Sequence, residues 1–206
     1  MSYSDFKTLE EVKTKFNISI SSSGSLFKNT AHSKPSEQLV NILDENVSLA
    51  LNINTDKARS ELIIAPVLVE VRKILERKVS LFSGLEFNVD EKVGLNGYCD
   101  FILSKSPDQI SLEFPVICIV EAKNENIKSG YAQCVAEMIA SEIYNKKHSH
   151  PVTHILGVVT TGSNWRFLKL ENGAAYIDFE EYLISQVDKI LGVFVSVMNS
   201  ITVNKT

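Results

Sequence analysis

Two short stretches place charged side chains against apolar runs. One reads Gly97-Tyr98-Cys99-Asp100-Phe101-Ile102-Leu103 and the other Val116-Ile117-Cys118-Ile119-Val120-Glu121-Ala122-Lys123. Side chains alternate along a strand, so Glu121 and Lys123 point the same way, about 6.6 Å apart along it. Pairing of the two strands brings Asp100 to the same point. A charge beside so apolar a strand is costly unless it is paired or used. Two converging carboxylates suit Mg²⁺ or Mn²⁺, hard ions that take oxygen ligands. A lysine beside them can position or activate a metal-bound water and stabilise charge on a phosphate. Such a set suits hydrolysis of a phosphodiester. Two helical residues extend it. Glu61 can reach the metal directly or through water, and Gln133 can hold Lys123 or a substrate phosphate by hydrogen bonds. The plainer reading of the cluster is a strand-end salt bridge.

The elements that must position these residues follow from the periodicity. A short helix is predicted over 6–16, then a polar stretch over 19–36 with eight Ser or Thr, one Gly and one Pro, which reads as a linker. Leu39, Ile42, Leu43, Val47 and Ala50 recur at helical spacing. A second helical stretch runs over 56–77, with Thr55 as N-cap and, at Pro66, either a kink or a short helix followed by a new one expected. Strands are expected at 79–82, 85–93 and 98–104, with Ser83-Gly84 as a turn. The run 115–122 reads as a central strand buried on both faces. A helix at 127–146 shows one broad apolar face. Strands follow at 153–160, 165–170 and 174–179, the last two joined by Asn172-Gly173. A helix at 180–199 closes the chain. The order predicts an α/β fold with a mixed sheet. Residues 1–35 are assigned to the N-terminal helix and linker, and 36–206 to a single domain.

The chain has 206 residues, enough for one well-buried core. The formal charge is -4, from 21 Lys and Arg against 25 Asp and Glu. That excludes a strongly basic DNA coat protein, but not an enzyme with a local basic face. The basic pairs at 72–73, 77–78 and 146–147 matter only if one lies beside the site. Three cysteines without a CxxC pair read as reduced core thiols. His148, His150 and His154 read as a solvated loop, and Trp165 and Phe167 as core. The N-terminus lacks the apolar core of a secretory signal, and no stretch reaches the length of a membrane span. A cytoplasmic protein with no membrane partner is expected. Ile190, Leu191, Val193, Phe194, Val195 and Val197 make the last helix apolar nearly all round, which points to a possible homodimer through it.

Asp100 and Glu121-Ala122-Lys123, with a preceding helical Glu61, resemble the signature of the PD-(D/E)XK nuclease superfamily. The resemblance spans about 56–170, where the derived order matches the family's αβββαβ core, a restriction-endonuclease-like mixed sheet flanked by helices. It implies that Asp100 and Glu121 are metal ligands, that the Ala122 carbonyl is another, and that Lys123 is the catalytic lysine. The stretch 158–167 is similar to the segment that follows the core helix in restriction-enzyme-like members. Cys99 stands where a proline often precedes the aspartate. Glu137 stands where the exonuclease branch has a tyrosine, four residues after the helical Gln133. An extra acid there would bind metal or repel substrate.

The expected function is a Mg²⁺- or Mn²⁺-dependent nuclease acting on DNA. The alternative is a catalytically inactive module of the same fold that binds nucleic acid or a protein partner. A subunit of a restriction or defence system is a third expectation.

Overall fold

The computed structural model describes residues 1–22 and 24–203. Ser23 of the predicted linker, and the last three residues of the predicted domain, lie outside the described residues. The fold is α/β. An open, mixed sheet carries helices on both faces.

Helix α1 (Leu9–Phe16) starts at Thr8, whose hydroxyl accepts from the Glu11 N–H, and stops at Asn17 in the left-handed region. Strand β1 (Ser19–Ser22) follows. Composition predicts a linker here. The serines instead pair in parallel with a later strand at the sheet edge, where main-chain bonds hold a strand without apolar side chains. The N-terminal segment is also part of the core: Tyr3, Phe6 and Val12 are buried.

Helix α2 (Glu37–Ile53) is capped by Ser36 and ends at Asn54, again left-handed. Thr55 then caps α3 (Asp56–Arg59) by accepting from the Ala58 N–H. A single π-turn (Ser60–Ile64) joins α3 to α4 (Ala65–Ile74). Proline lacks an N–H and crowds the preceding turn. The short helix followed by a new one is what forms, with Pro66 in the first turn of α4 and the wide turn just before it.

Strands β2 (Ser80–Glu86), β3 (Tyr98–Ser104) and β4 (Val116–Ala122) form an antiparallel meander. Ser83-Gly84 does not turn the chain. β2 runs through Gly84, whose φ of 60° glycine tolerates. Helix α5 (Tyr131–Lys147) crosses over, and β5 (Ile155–Thr160) returns parallel to β4. β6 (Asn164–Glu171) and β7 (Ala174–Ile177) make a hairpin, and β8 (Tyr182–Leu183) pairs with β6. Helix α6 (Val187–Ser200) closes the chain. It starts later than its apolar pattern predicts. Tyr182 pairs with Trp165 in the sheet instead, and its hydroxyl donates to Asp178 Oδ2 at 3.1 Å.

The strand order is β1-β7-β6-β5-β4-β3-β2. One face packs on α2, α4 and α6, and the other on α1 and α5. α6 is covered by its own chain: Ile190, Leu191, Val193, Phe194 and Val197 are all buried. That burial removes the reason for expecting a homodimer through this helix. The three cysteines are buried and unbridged, and Trp165 and Phe167 are core residues. No helix among the described residues is long and apolar enough to cross a membrane.

Candidate active site

The site is built at the end of the sheet where β3 begins and β4 finishes. The antiparallel register Phe101↔Val120 sets Asp100 across from Glu121. Directly opposed residues share a face, so both carboxylates stand on the α5 side. Asp100 Oδ2 accepts from the Ala122 N–H at 2.7 Å. This bond ties the β3 carboxylate to the strand that carries the rest. Lys123 lies one residue beyond β4, and its N–H extends the parallel ladder to the Thr160 carbonyl at 2.8 Å.

Four side chains meet here. The Lys123 ammonium is ion-paired with Glu121 Oε1. It also donates to Gln133 Oε1 at 3.2 Å. Gln133 Nε2 donates to Glu121 Oε2 and to Glu137 Oε1, both at 3.0 Å. Two carboxylates and one ammonium fix which end of the amide faces which group. The sequence-based expectation that Gln133 can hold Lys123 is met in the structure. Glu137 is fully buried beneath Gln133, with Oε2 unpartnered. It therefore does not face substrate, contrary to the expectation that it could repel one.

Burial and crowding shift the charges. Glu121 is pushed up to about 8, first by burial and then by the neighbouring Asp100 carboxylate, with Lys123 opposing. Asp100 is also raised, mainly by burial, against the pull of the Ala122 N–H and of Lys123. Burial pulls Lys123 down, but the surrounding carboxylates outweigh it, Glu121 foremost, and the net shift is up. Glu137 is held well above the usual carboxylate range by burial and then by Glu121. Burial is the first cause at each of these carboxyls, and neighbouring carboxylates add to it.

A cleft of about 360 Å³ opens over Asp100, between Ser83-Gly84 of β2 and the helix face bearing Asp56, Lys57, Ser60 and Glu61. Gly84 places no side chain in it. Glu61 reaches only the rim. It is exposed and pairs with Lys57 at 3.8 Å, away from Glu121. The sequence places Glu61 within reach of a metal directly or through water; here it lines the cleft that opens over Asp100. The acid on this helix whose charge raises Asp100 is Asp56. Its place in the first turn after the Thr55 cap is the kind that a helix dipole alone explains, so the sequence did not single it out. None of the basic pairs at 72–73, 77–78 and 146–147 lines this cleft; its cation is Lys57.

Arg59 is a second residue missed in the sequence. It is buried, and its guanidinium donates to Asn124 Oδ1 at 3.0 Å, the Thr161 carbonyl at 2.6 Å and Asn54 Oδ1 at 3.0 Å. These bonds fasten α3 to the loops after β4 and β5, and so set the cleft wall. Gly130 fixes the other side. A Cβ there would meet Val159 Cγ1 at 2.6 Å and Lys123 Cε at 3.2 Å. The short turn Ile127–Gly130 therefore lies directly on the Lys123 stem.

Among the described residues no three His, Cys, Asp or Glu side chains form a metal-ligating group. The donors available are two carboxylates and main-chain oxygen. No protein-family model matches the chain, and no curated protein matches it.

Proposed function

We propose that the protein is a metal-dependent nuclease of the PD-(D/E)XK type, hydrolysing phosphodiester bonds of DNA on a restriction-endonuclease-like core. The observation that carries this is the meeting of Asp100 and Glu121 across paired strands, with the Lys123 ammonium on Glu121. The order α4, β2, β3, β4, α5, β5 supports it, as does the open cleft over Asp100.

The donor set fits Mg²⁺ or Mn²⁺. Such ions are held by one or two carboxylates and keep several waters, so a three-acid cage is not required. Asp100, Glu121 and the Ala122 carbonyl would hold the ion, with Asp56 and Glu61 facing its water shell from the rim. When bound, it polarises the phosphate and lowers the pKa of a coordinated water. The chain supplies the rest. Lys123 stays protonated among carboxylates, so its Nζ–H groups serve as donors to the attacking oxygen or a phosphate oxygen. Gln133 keeps that ammonium in place. Asp100 is oriented by the Ala122 N–H, and the cleft admits the backbone.

The test is cleavage of supercoiled, linear and single-stranded DNA and of RNA with Mg²⁺ or Mn²⁺. Wild-type protein should cut DNA, and Lys123→Ala should lose about 10²–10³-fold in rate while still unfolding in one cooperative thermal transition. No cleavage of any substrate by the wild type would overturn the proposal.

One observation favours a catalytically inactive module instead. Glu121 is already satisfied by Lys123 and Gln133, and Asp100 Oδ2 by the Ala122 N–H. Calorimetric titration separates the readings: a nuclease binds Mg²⁺ or Mn²⁺ in a manner lost in Asp100→Asn and Glu121→Gln, and an inactive module does not.

A further inference from the structure

The row of residues that carries the site continues across the sheet. Asp100 faces Glu121 on β4, Glu121 stands beside Val159 on β5, and Val159 beside Arg166 on β6. The β6–β7 register Leu168↔Ile177, continued by two residues, sets Phe179 next to Arg166. Members of one row point to one face, and strands lie about 4.8 Å apart, so Phe179 stands about 14 Å from Glu121. On the same face lies a groove of about 600 Å³, lined by Ile20 and Ile177 at the β1–β7 edge and walled by Lys128, Tyr131, Arg166 and Phe179.

Phe179 is 74% exposed, yet its backbone is fixed at both ends. Its N–H donates to the Gly24 carbonyl at 3.1 Å, and its carbonyl accepts from Arg166 Nη1. Arg166 is itself paired with Glu181 at 2.9 Å, so it acts as a strut on the Phe179 backbone rather than as a free charge. On the opposite wall Lys128 is exposed. It sits in the turn that packs on the Lys123 stem, and Tyr131 opens α5 directly after it. Asp178, the acid in this groove, is fully buried, and its carboxylate accepts from the Leu26 N–H and the Tyr182 hydroxyl.

We propose that this groove binds an unpaired nucleic-acid strand flanking the scissile phosphodiester, which makes the preferred substrate one with a single-stranded end or flap. The proposal rests on the nuclease reading above. A fixed, solvent-facing aromatic ring stacks on a base whose face is open, and every unpaired base offers one. In a duplex those faces are covered by neighbouring bases. Lys128 meets the backbone phosphate of the same strand. At about 3.4 Å per stacked nucleotide, the distance from Glu121 to Phe179 is about four nucleotides.

The test is fluorescence anisotropy of the full chain in EDTA, where no cleavage intervenes, with a labelled single strand and the matching blunt duplex. The single strand should bind at least about tenfold tighter. Phe179→Ala, a surface change, should weaken single-strand binding about tenfold and leave duplex binding unchanged. Lys128→Ala should lower the slope of log affinity against log salt by about 0.7. Equal binding of strand and duplex, or an unaltered Phe179→Ala, overturns the groove even if the wild type cuts DNA. Single-strand binding lost in Phe179→Ala upholds the groove, even if no cleavage occurs with Mg²⁺ and the nuclease reading falls.

Discussion

Gln133 Nε2 lies 3.0 Å from Glu137 Oε1, and its second N–H is used at the same distance by Glu121. Its Oε1 takes Lys123. Every strong hydrogen-bonding direction of this amide therefore belongs to the site. Gln133→Ala would leave the Lys123 ammonium with Glu121 as its sole fixed partner and two carboxylates with a donor missing. We expect a rate loss of about 10–100-fold, from misplacement of a catalytic donor. Gln133→Asn, one methylene shorter, should recover little of it. Single-turnover cleavage gives the answer, and a variant as fast as wild type would remove Gln133 from the positioning network.

Gly130 tests the Lys123 stem from the other side. Alanine there brings a methyl within 2.6 Å of Val159 Cγ1 and 3.2 Å of Lys123 Cε. Its backbone conformation is ordinary, so the effect is one of space. Overpacking of this kind costs about 1–3 kcal/mol. Gly130→Ala should lower the melting temperature modestly and slow cleavage by more than the lost stability explains. Equal activity at a temperature where both proteins are fully folded would show that the lysine stem yields freely.

Arg59 makes three hydrogen bonds from one buried guanidinium, two to the loops after β4 and β5 and one to Asn54 at the end of α2. Loss of a charged donor from buried acceptors costs about 1.5–3 kcal/mol per bond at most, and the bonds are not additive. Arg59→Ala should be destabilised by about 3 kcal/mol or more. Arg59→Lys should rescue only part, because an ammonium cannot reproduce the planar fork that spans Asn54, Asn124 and Thr161. Chemical denaturation measures both. A destabilisation below about 1 kcal/mol for the alanine variant would mean that α3 is held by its packing alone.

The contrast between Gln133 and Arg59 shows what a sequence can disclose. Asp100, Glu121 and Lys123 were legible because strand alternation is rigid: two apolar runs with charges at fixed parity leave little freedom over where those charges go. Gln133 was legible because the helix after Lys123 has a clear apolar face. Glu61 was placed on the helix before the first strand and lines the cleft, but the π-turn at Ser60–Ile64 and its Lys57 pair are not visible in a 3.6-residue pattern. Arg59 matters through loops distant in sequence, at 124 and 161, and Asp56 through Asp100 across the cleft, which no local pattern encodes. β1 was hidden for another reason. Its serines have the composition of a linker, and only the pairing partner, β7, makes them a strand. Phe179 likewise looked like the end of an ordinary strand until the register set it in the row of the site.

Glu137 yields a prediction about stability rather than rate. It is fully buried, Oε2 has no partner, and burial together with Glu121 holds its carboxyl well above the usual range. The folded protein therefore keeps a proton that the unfolded chain releases above about pH 4.3. In that window the folded state binds more protons than the unfolded one, so stability falls as pH rises, by at most about 1.4 kcal/mol per pH unit for one group. Without divalent metal, the wild-type melting temperature should decline between about pH 5 and 8. Glu121, raised to about 8, adds a slope of the same sign. Glu137→Gln keeps the shape and the hydrogen-bonding reach but has no proton to lose. It should melt higher than wild type at pH 8, match it more closely near pH 5, and keep only the slope that Glu121 and Asp100 supply. Thermal unfolding in EDTA across this range is the measurement, and a variant with the full wild-type slope would show that Glu137 titrates as an ordinary glutamate.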